Sequence, residues 1–204
     1  MKNFYKQFSS AVLAGICIGI GGFMNLKFGG LVGALFFSFG LLTIVCERYN
    51  LFTGIAGVTH NMSKLSVALF GNVIGCFLMA RLAALTSSSI IGSGTILLSN
   101  RLAYGPLVCF LLSVPCGFIV TTVVKQSKEK NFYFPLFLGV PIFILCGFPH
   151  CIADAFNYLV CPLSLLADKY LNILVIYTSI VLGNYLGCNL YRIVPKNNEW
   201  QWTR

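Results

Sequence analysis

Six stretches of this chain are long, apolar and nearly free of charge, at 8–26, 29–46, 64–86, 104–124, 133–148 and 170–193, with shorter apolar stretches at 51–59 and 151–161. A helix that crosses a bilayer takes about 20 residues, so six crossings with short loops use up the 204 residues. Charged residues are only 9% of the chain, against about 25% in an ordinary soluble domain. A soluble globule with so few polar side chains would leave its surface uncovered. The composition therefore excludes a soluble enzyme, a nucleic-acid-binding module and a disulfide-stapled secreted domain. The expectation is an all-α integral membrane protein, with a single transmembrane domain over 1–204. Lys2 and Lys6 before an apolar run imitate a secretion signal, but the run is too long and no small-residue cleavage site closes it. It is read as the first helix.

The net charge of +9 follows the spans rather than forming a patch for nucleic acid. With both termini in the cytoplasm, Lys2, Lys6, Lys64, Lys125, Lys128, Lys130, Arg192, Lys196 and Arg204 fall inside, and only Lys27, Arg101 and Lys169 outside. Arg48 and Arg81 sit within the membrane sequence. Basic residues beside spans are held in the cytoplasm during insertion, so the expected protein is a multi-pass cell-membrane protein with both termini inside. Trp200 and Trp202 would suit the headgroup region or a loose tail. The nine cysteines are scattered, without a CxxC pair, and read as small packing residues. No metal or cofactor is expected.

An internal repeat gives this topology a purpose. Leu69-Phe70-Gly71-Asn72-Val73-Ile74-Gly75-Cys76 reappears as Val181-Leu182-Gly183-Asn184-Tyr185-Leu186-Gly187-Cys188, 112 positions later. The second and fifth spans are each interrupted, by Glu47-Arg48-Tyr49-Asn50 and by Gly147-Phe148-Pro149-His150, which places Asn50 where His150 stands 100 positions on. Three spans in each half (repeat one about 5–90, repeat two about 100–194) require the halves to be inverted relative to each other. Non-helical backbone at membrane depth survives only where protein or a water-filled cavity covers it. Helices that restart there present N-terminal partial positive charge, which suits an anion. Inverted repeats with interrupted helices point to a transport pathway near the midplane. Ordinary helix packing through small residues is the competing explanation of the repeat.

Leu51-Phe52-Thr53-Gly54, Gly147-Phe148-Pro149-His150-Cys151-Ile152-Ala153-Asp154, Leu182-Gly183-Asn184, and Lys6 ahead of Ala14-Gly15 together resemble the formate–nitrite transporter family, in order and over nearly the whole chain. The resemblance implies an aquaporin-like protomer of six helices and a homopentamer in which each protomer has its own pore. It implies passage of a small monovalent anion or its conjugate weak acid, such as formate, nitrite or hydrosulfide, across the lipid bilayer. His150 would lie between two apolar constrictions, Leu41 with Phe52 and Phe37 with Phe143, and Thr53 would face it from the opposite loop. Leu51, Asn50, Asn72, Asn184, Lys6 and Asp154 complete the expected pathway residues. Pro149 and Asn50 stand where the family has glutamate, Cys109 where it has asparagine, and Ser93 near its lysine, leaving Arg101 as the nearest cation.

Some residues keep two readings. Asp154, four residues after His150 and so on the same side of a half-helix, would favour an imidazolium or satisfy first-turn N–H groups. Asn72 and Asn184 fit the bracing of the broken backbone better than contact with substrate. Arg81 would reach outward, pair at a subunit contact or enter the pore. Glu47 and Arg48 would pair or line the inner mouth, and His60 fits an interface. Two alternatives to a channel are a membrane-embedded enzyme using Cys151 or His150, and a transport-inactive protein on the same fold.

Overall fold

The computed structural model describes residues 2–86 and 88–193; Trp200, Trp202, Lys196 and Arg204 lie outside the described residues. In the first half, α1 (Lys2–Phe28), α2 (Gly30–Cys46), α3 (Phe52–Ala56) and α4 (Met62–Thr86) follow one another. Then come α5 (Ser88–Lys130), α6 (Phe134–Leu145), α7 (Cys151–Leu159), α8 (Leu163–Asp168), α9 (Tyr170–Cys188) and α10 (Leu190–Ile193). No strand occurs among the described residues. By length and hydropathy α1, α4, α5 and α9 each suffice to cross a membrane, whereas α2 and α6 are shorter apolar helices. Phe36, Phe39, Phe70, Leu107, Leu138 and Leu182 are exposed on the outside, as expected of helices whose surroundings are lipid rather than water.

α5 departs from the sequence reading. The segment before 104, which lies outside the six apolar stretches read from the sequence, is helical from Ser88. The chain turns at Gly105, whose φ of 73° is left-handed, and continues as helix through the apolar stretch 104–124 to Lys130. Helix packing explains why a polar, glycine-bearing segment is ordered. Gly94 lies against Val160 and the Asn157 backbone of α7, and Ile90 and Leu98 are fully buried.

Both interruptions use the same chain geometry. After α2, Arg48 takes a left-handed φ of 58° and Tyr49 N–H donates to Ile44 O (3.0 Å). After α6, Gly147 does so with φ 70°, and Phe148 N–H donates to Phe143 O (2.9 Å). Each is the six-to-one bond of a Schellman helix end. Extended residues follow, and α3 and α7 start behind Leu51 and His150.

The exposed backbone groups in each break are gathered by one asparagine. Asn72 Oδ1 accepts from Phe52 N–H (2.8 Å), and its Nδ2 donates to Asn50 O (2.9 Å) and Ala11 O (2.8 Å). Asn184 Oδ1 accepts from Cys151 N–H (2.7 Å), and its Nδ2 donates to Pro149 O (3.0 Å) and Ser113 O (2.8 Å). Asn50 therefore corresponds to Pro149 and Leu51 to His150, an offset of 99 rather than the 100 read from the sequence. Ala11 pairs with Ser113 at an offset of 102, so a shared amino-acid pattern alone misplaces the break by one. Behind each brace a glycine allows the helices to touch: a Cβ on Gly15 would overlap the Asn72 backbone, and one on Gly117 the Asn184 backbone.

Both asparagines are fully buried, and each buried polar group left unpaired costs about 1–3 kcal/mol. Asn184→Ala strands the Cys151 N–H and two carbonyls, so its thermal midpoint in detergent should fall by the equivalent of about 2 kcal/mol or more. An unchanged midpoint would show that the brace carries no stability.

Candidate functional site

α3 and α7 bring Thr53 and His150 together from opposite halves of the chain: Thr53 Oγ1 lies 3.0 Å from His150 Nε2. Both are buried, Thr53 completely. His150 caps α7, and its Nδ1 accepts from Ala153 N–H (3.2 Å). A nitrogen that accepts carries a lone pair, so the proton of the neutral ring sits on Nε2 and points to Thr53 Oγ1. The threonine hydroxyl hydrogen is thereby free to be donated onward. Two cysteines hold this junction symmetrically, Cys188 Sγ on Thr53 O (3.4 Å) and Cys76 Sγ on Ile152 O (3.4 Å).

Aromatic rings cover the imidazole on one side. The Phe143 ring stacks on His150 with centroids 5.5 Å apart, and Phe37 meets Phe143 edge-on at 6.0 Å. Leu41, Leu51 and Phe52 are buried within the same core. Phe37, Phe143, His150, Arg101, Asp154 and Asn157 help to line a cavity of about 140 Å³. At the α3 end, Asn50, Gly54, Lys64 and Lys128 line one cavity of about 280 Å³. Lys125, Lys128, Glu129 and Arg192 line another of about 450 Å³, which also reaches Gly54.

Asp154 follows neither of its two expected uses. Its Oδ2 accepts from Arg101 Nε (3.0 Å) and from Tyr158 O–H (3.2 Å), while Arg101 Nη1 donates to Gly147 O (2.9 Å). Arg101 is thus a buried partner of α7 rather than an open vestibule cation, with 6% exposure against 4% for Asp154. Arg81 Nη1 donates to Leu159 O (3.0 Å), the last residue of α7. There a cation complements the negative end of the helix. At the end of α3 a neutral amide takes this place, Asn189 Nδ2 donating to Ala56 O (3.2 Å).

Asn72 and Asn184 brace the breaks, as the sequence suggested. Asn50 lies beside α1, its N–H donating to Ser10 Oγ (3.1 Å). Lys6 is exposed on α1, and none of the hydrogen bonds of His150 or Thr53 involves it. Glu47 and Arg48 form no ion pair among the described residues; both are exposed. His60 is exposed with its ring against Arg192. Cys109 Sγ donates to Arg101 O (3.4 Å), and Ser93 bonds its own helix at Ser89 O (3.0 Å). Tyr158 and Asn157 were missed; for Tyr158 the i,i+4 spacing from Asp154 was a usable signal. Arg101 was seen, but its partner was not legible because the helix that carries it lies outside the apolar stretches.

Apolar helices folded around two capped breaks define a helical membrane protein. The sequence pattern of the formate/nitrite transporter family matches residues 1–195, and the chain belongs to that family. Two solved structures share the fold. One, described as a pentameric formate channel with formate bound, is 23% identical with TM-score 0.78, covering 94% of this chain and 95% of that one. The other, an FNT family ion channel, is 20% identical with TM-score 0.81, covering 93% and 88%. No curated protein matches the chain.

The His150 bonds are checked by ¹⁵N NMR of histidine-labelled protein. The His150 ring should show a single protonated nitrogen, Nε2, at pH 7; two protonated nitrogens would contradict this arrangement.

Proposed function

We propose that the protein is a membrane channel for a small monovalent anion or its conjugate weak acid, formate, nitrite or hydrosulfide among them. In this reading the protomer has six transmembrane helices in two inverted repeats, with the second and fifth interrupted. It sits in the cell membrane with both termini cytoplasmic, as nine flanking cations against three favour, and assembles as a homopentamer like its pentameric neighbour. The observation that carries the reading is the Thr53–His150 contact of 3.0 Å among buried apolar side chains, with cavities on either side.

A bare anion that enters an apolar constriction loses its hydration at high cost, and the neutral acid loses far less. What the site must offer is therefore a hydrogen-bond donor in a dry place. His150 Nε2–H fixes the Thr53 hydroxyl oxygen, and the hydroxyl hydrogen meets the substrate. Because Nδ1 is occupied by Ala153 N–H (3.2 Å), the neutral ring serves as an oriented donor instead of a stored imidazolium. The lysines of the α3-end cavities concentrate anions at that mouth. Phe37 with Phe143, and Leu41 with Phe52, exclude water from the two sides of the donor pair.

Proteoliposome uptake of formate, nitrite and hydrosulfide between pH 5 and 8 tests this reading. Uptake should rise toward acid pH. His150→Asn can still accept from Ala153 and donate to Thr53, so its uptake should stay within about tenfold of native. His150→Leu removes the donor and should lower uptake at least about a hundredfold, or about 2.7 kcal/mol of barrier. Equal uptake in the leucine variant would refute the donor role. No uptake of any of the three by folded native protein would refute the channel reading.

A further inference from the structure

The two ends of the candidate pathway differ in charge. At the α3 end, Lys64, Lys125, Lys128 and Arg192 face the cavities against Glu129 alone. At the α7 end the cavity beside His150 has Arg101 as the cation among its lining residues, and Asp154 is bonded to it at 3.0 Å. The titratable groups that act on Arg101 are Asp154 and Tyr158 of α7 and Cys109 of its own helix, so a full negative charge meets it from one residue only. The charged residues that line this cavity sum to zero. Asn157, on the same helix and cavity wall, is 6% exposed, and its Oδ1 is a buried acceptor without a hydrogen-bond partner among the described residues. An unpaired acceptor in a neutral cavity suits a ligand that brings a donor hydrogen, which a protonated acid has and its anion lacks.

We propose that Asp154 is a specificity-determining residue: by cancelling the charge of Arg101 it makes the His150-side mouth electroneutral, so that this mouth takes the uncharged acid, its hydrogen placed on Asn157 Oδ1. The opposite, basic mouth collects the anion. The proposal rests on the channel reading and adds to it which form of the substrate each mouth accepts.

Saturation-transfer NMR on detergent-purified full-length protein at pH 7 and low salt tests it, in a Lys64→Gln/Lys125→Gln/Lys128→Gln background that removes the excess positive charge of the opposite mouth, with formate as the anionic probe and formamide as the uncharged donor of similar shape. Asp154→Asn unmasks Arg101 and should tighten formate binding about tenfold, about 1.4 kcal/mol. Arg101→Gln leaves Asp154 alone and should weaken it by a similar factor. The shift should shrink as added salt screens the charge. Formamide affinity should be insensitive to Asp154→Asn and fall about tenfold in Asn157→Leu. A pair that only holds the fold together would move both charge variants in the same direction. That outcome, or formate affinities equal in all three proteins, overturns the proposal; unchanged formamide binding in Asn157→Leu overturns the acceptor assignment. Asp154→Ser removes the same charge and decides the matter if the asparagine variant does not assemble. Binding is read without transport, so a native protein that fails to carry formate counts against the channel reading and leaves this test standing.

Discussion

Buried backbone polar groups have no water to bond, and the architecture of this protein follows from meeting that demand at two places where helices stop and restart. Each break exposes an N–H at the start of the second helix and a carbonyl just before it. One asparagine from a neighbouring helix takes both, and its third bond reaches across to another helix: Asn72 to Ala11, Asn184 to Ser113. Those third bonds require α1 to lie close to α4, and α5 close to α9, which is where Gly15 and Gly117 sit. The asparagine, the glycine and the helix crossing are one device, used twice. If any member is removed, the polar backbone of the break is left in an apolar medium.

The braces also decide the geometry of the centre. Because each break is fixed from behind, α3 and α7 start at defined points, and Thr53 and His150 meet at 3.0 Å without either side chain being held by solvent. The capping role of His150 follows from its position immediately before α7. Its ring nitrogen replaces the usual side-chain oxygen of an N-cap, and that choice fixes the tautomer. A structural duty and a chemical one are thereby joined in the same imidazole. Arg81 and Asn189 finish the other ends of the two short helices, so neither α3 nor α7 depends on its own length for stability, which would be marginal.

Around this frame the two halves diverge in charge. At the α7 end Arg101 and Asp154 neutralise each other, with Tyr158 as a third partner, whereas the α3 end has lysines in excess. A buried ion pair gains little net stability once the desolvation of both charges is counted. The pair also holds the Gly147 carbonyl at the second break and lies beside the cavity that reaches His150. The aspartate at 154 and the burial of the local cation belong to one arrangement.

The membrane class, the apolar segments and the repeat were legible in the sequence because they depend on local composition and on side chains that recur at matched intervals. Gly71-Asn72 and Gly183-Asn184 announced the braces, and the interrupting residues located the breaks to within a residue. The offset of 99 between Asn50 and Pro149 was not legible, since it is set by which backbone groups each asparagine reaches. The helical segment before Gly105 was hidden by its serines and glycines, whose weak helix preference is overridden by burial against α7. With that helix unseen, the contact between Arg101 and Asp154, 53 positions apart, had no local signature. Sequence by itself determined which residues must leave water and where the backbone needs help, because those are properties of each segment. Only the tertiary structure decided which charge is cancelled and which ring nitrogen keeps its proton, because both depend on partners that the chain brings together from distant positions.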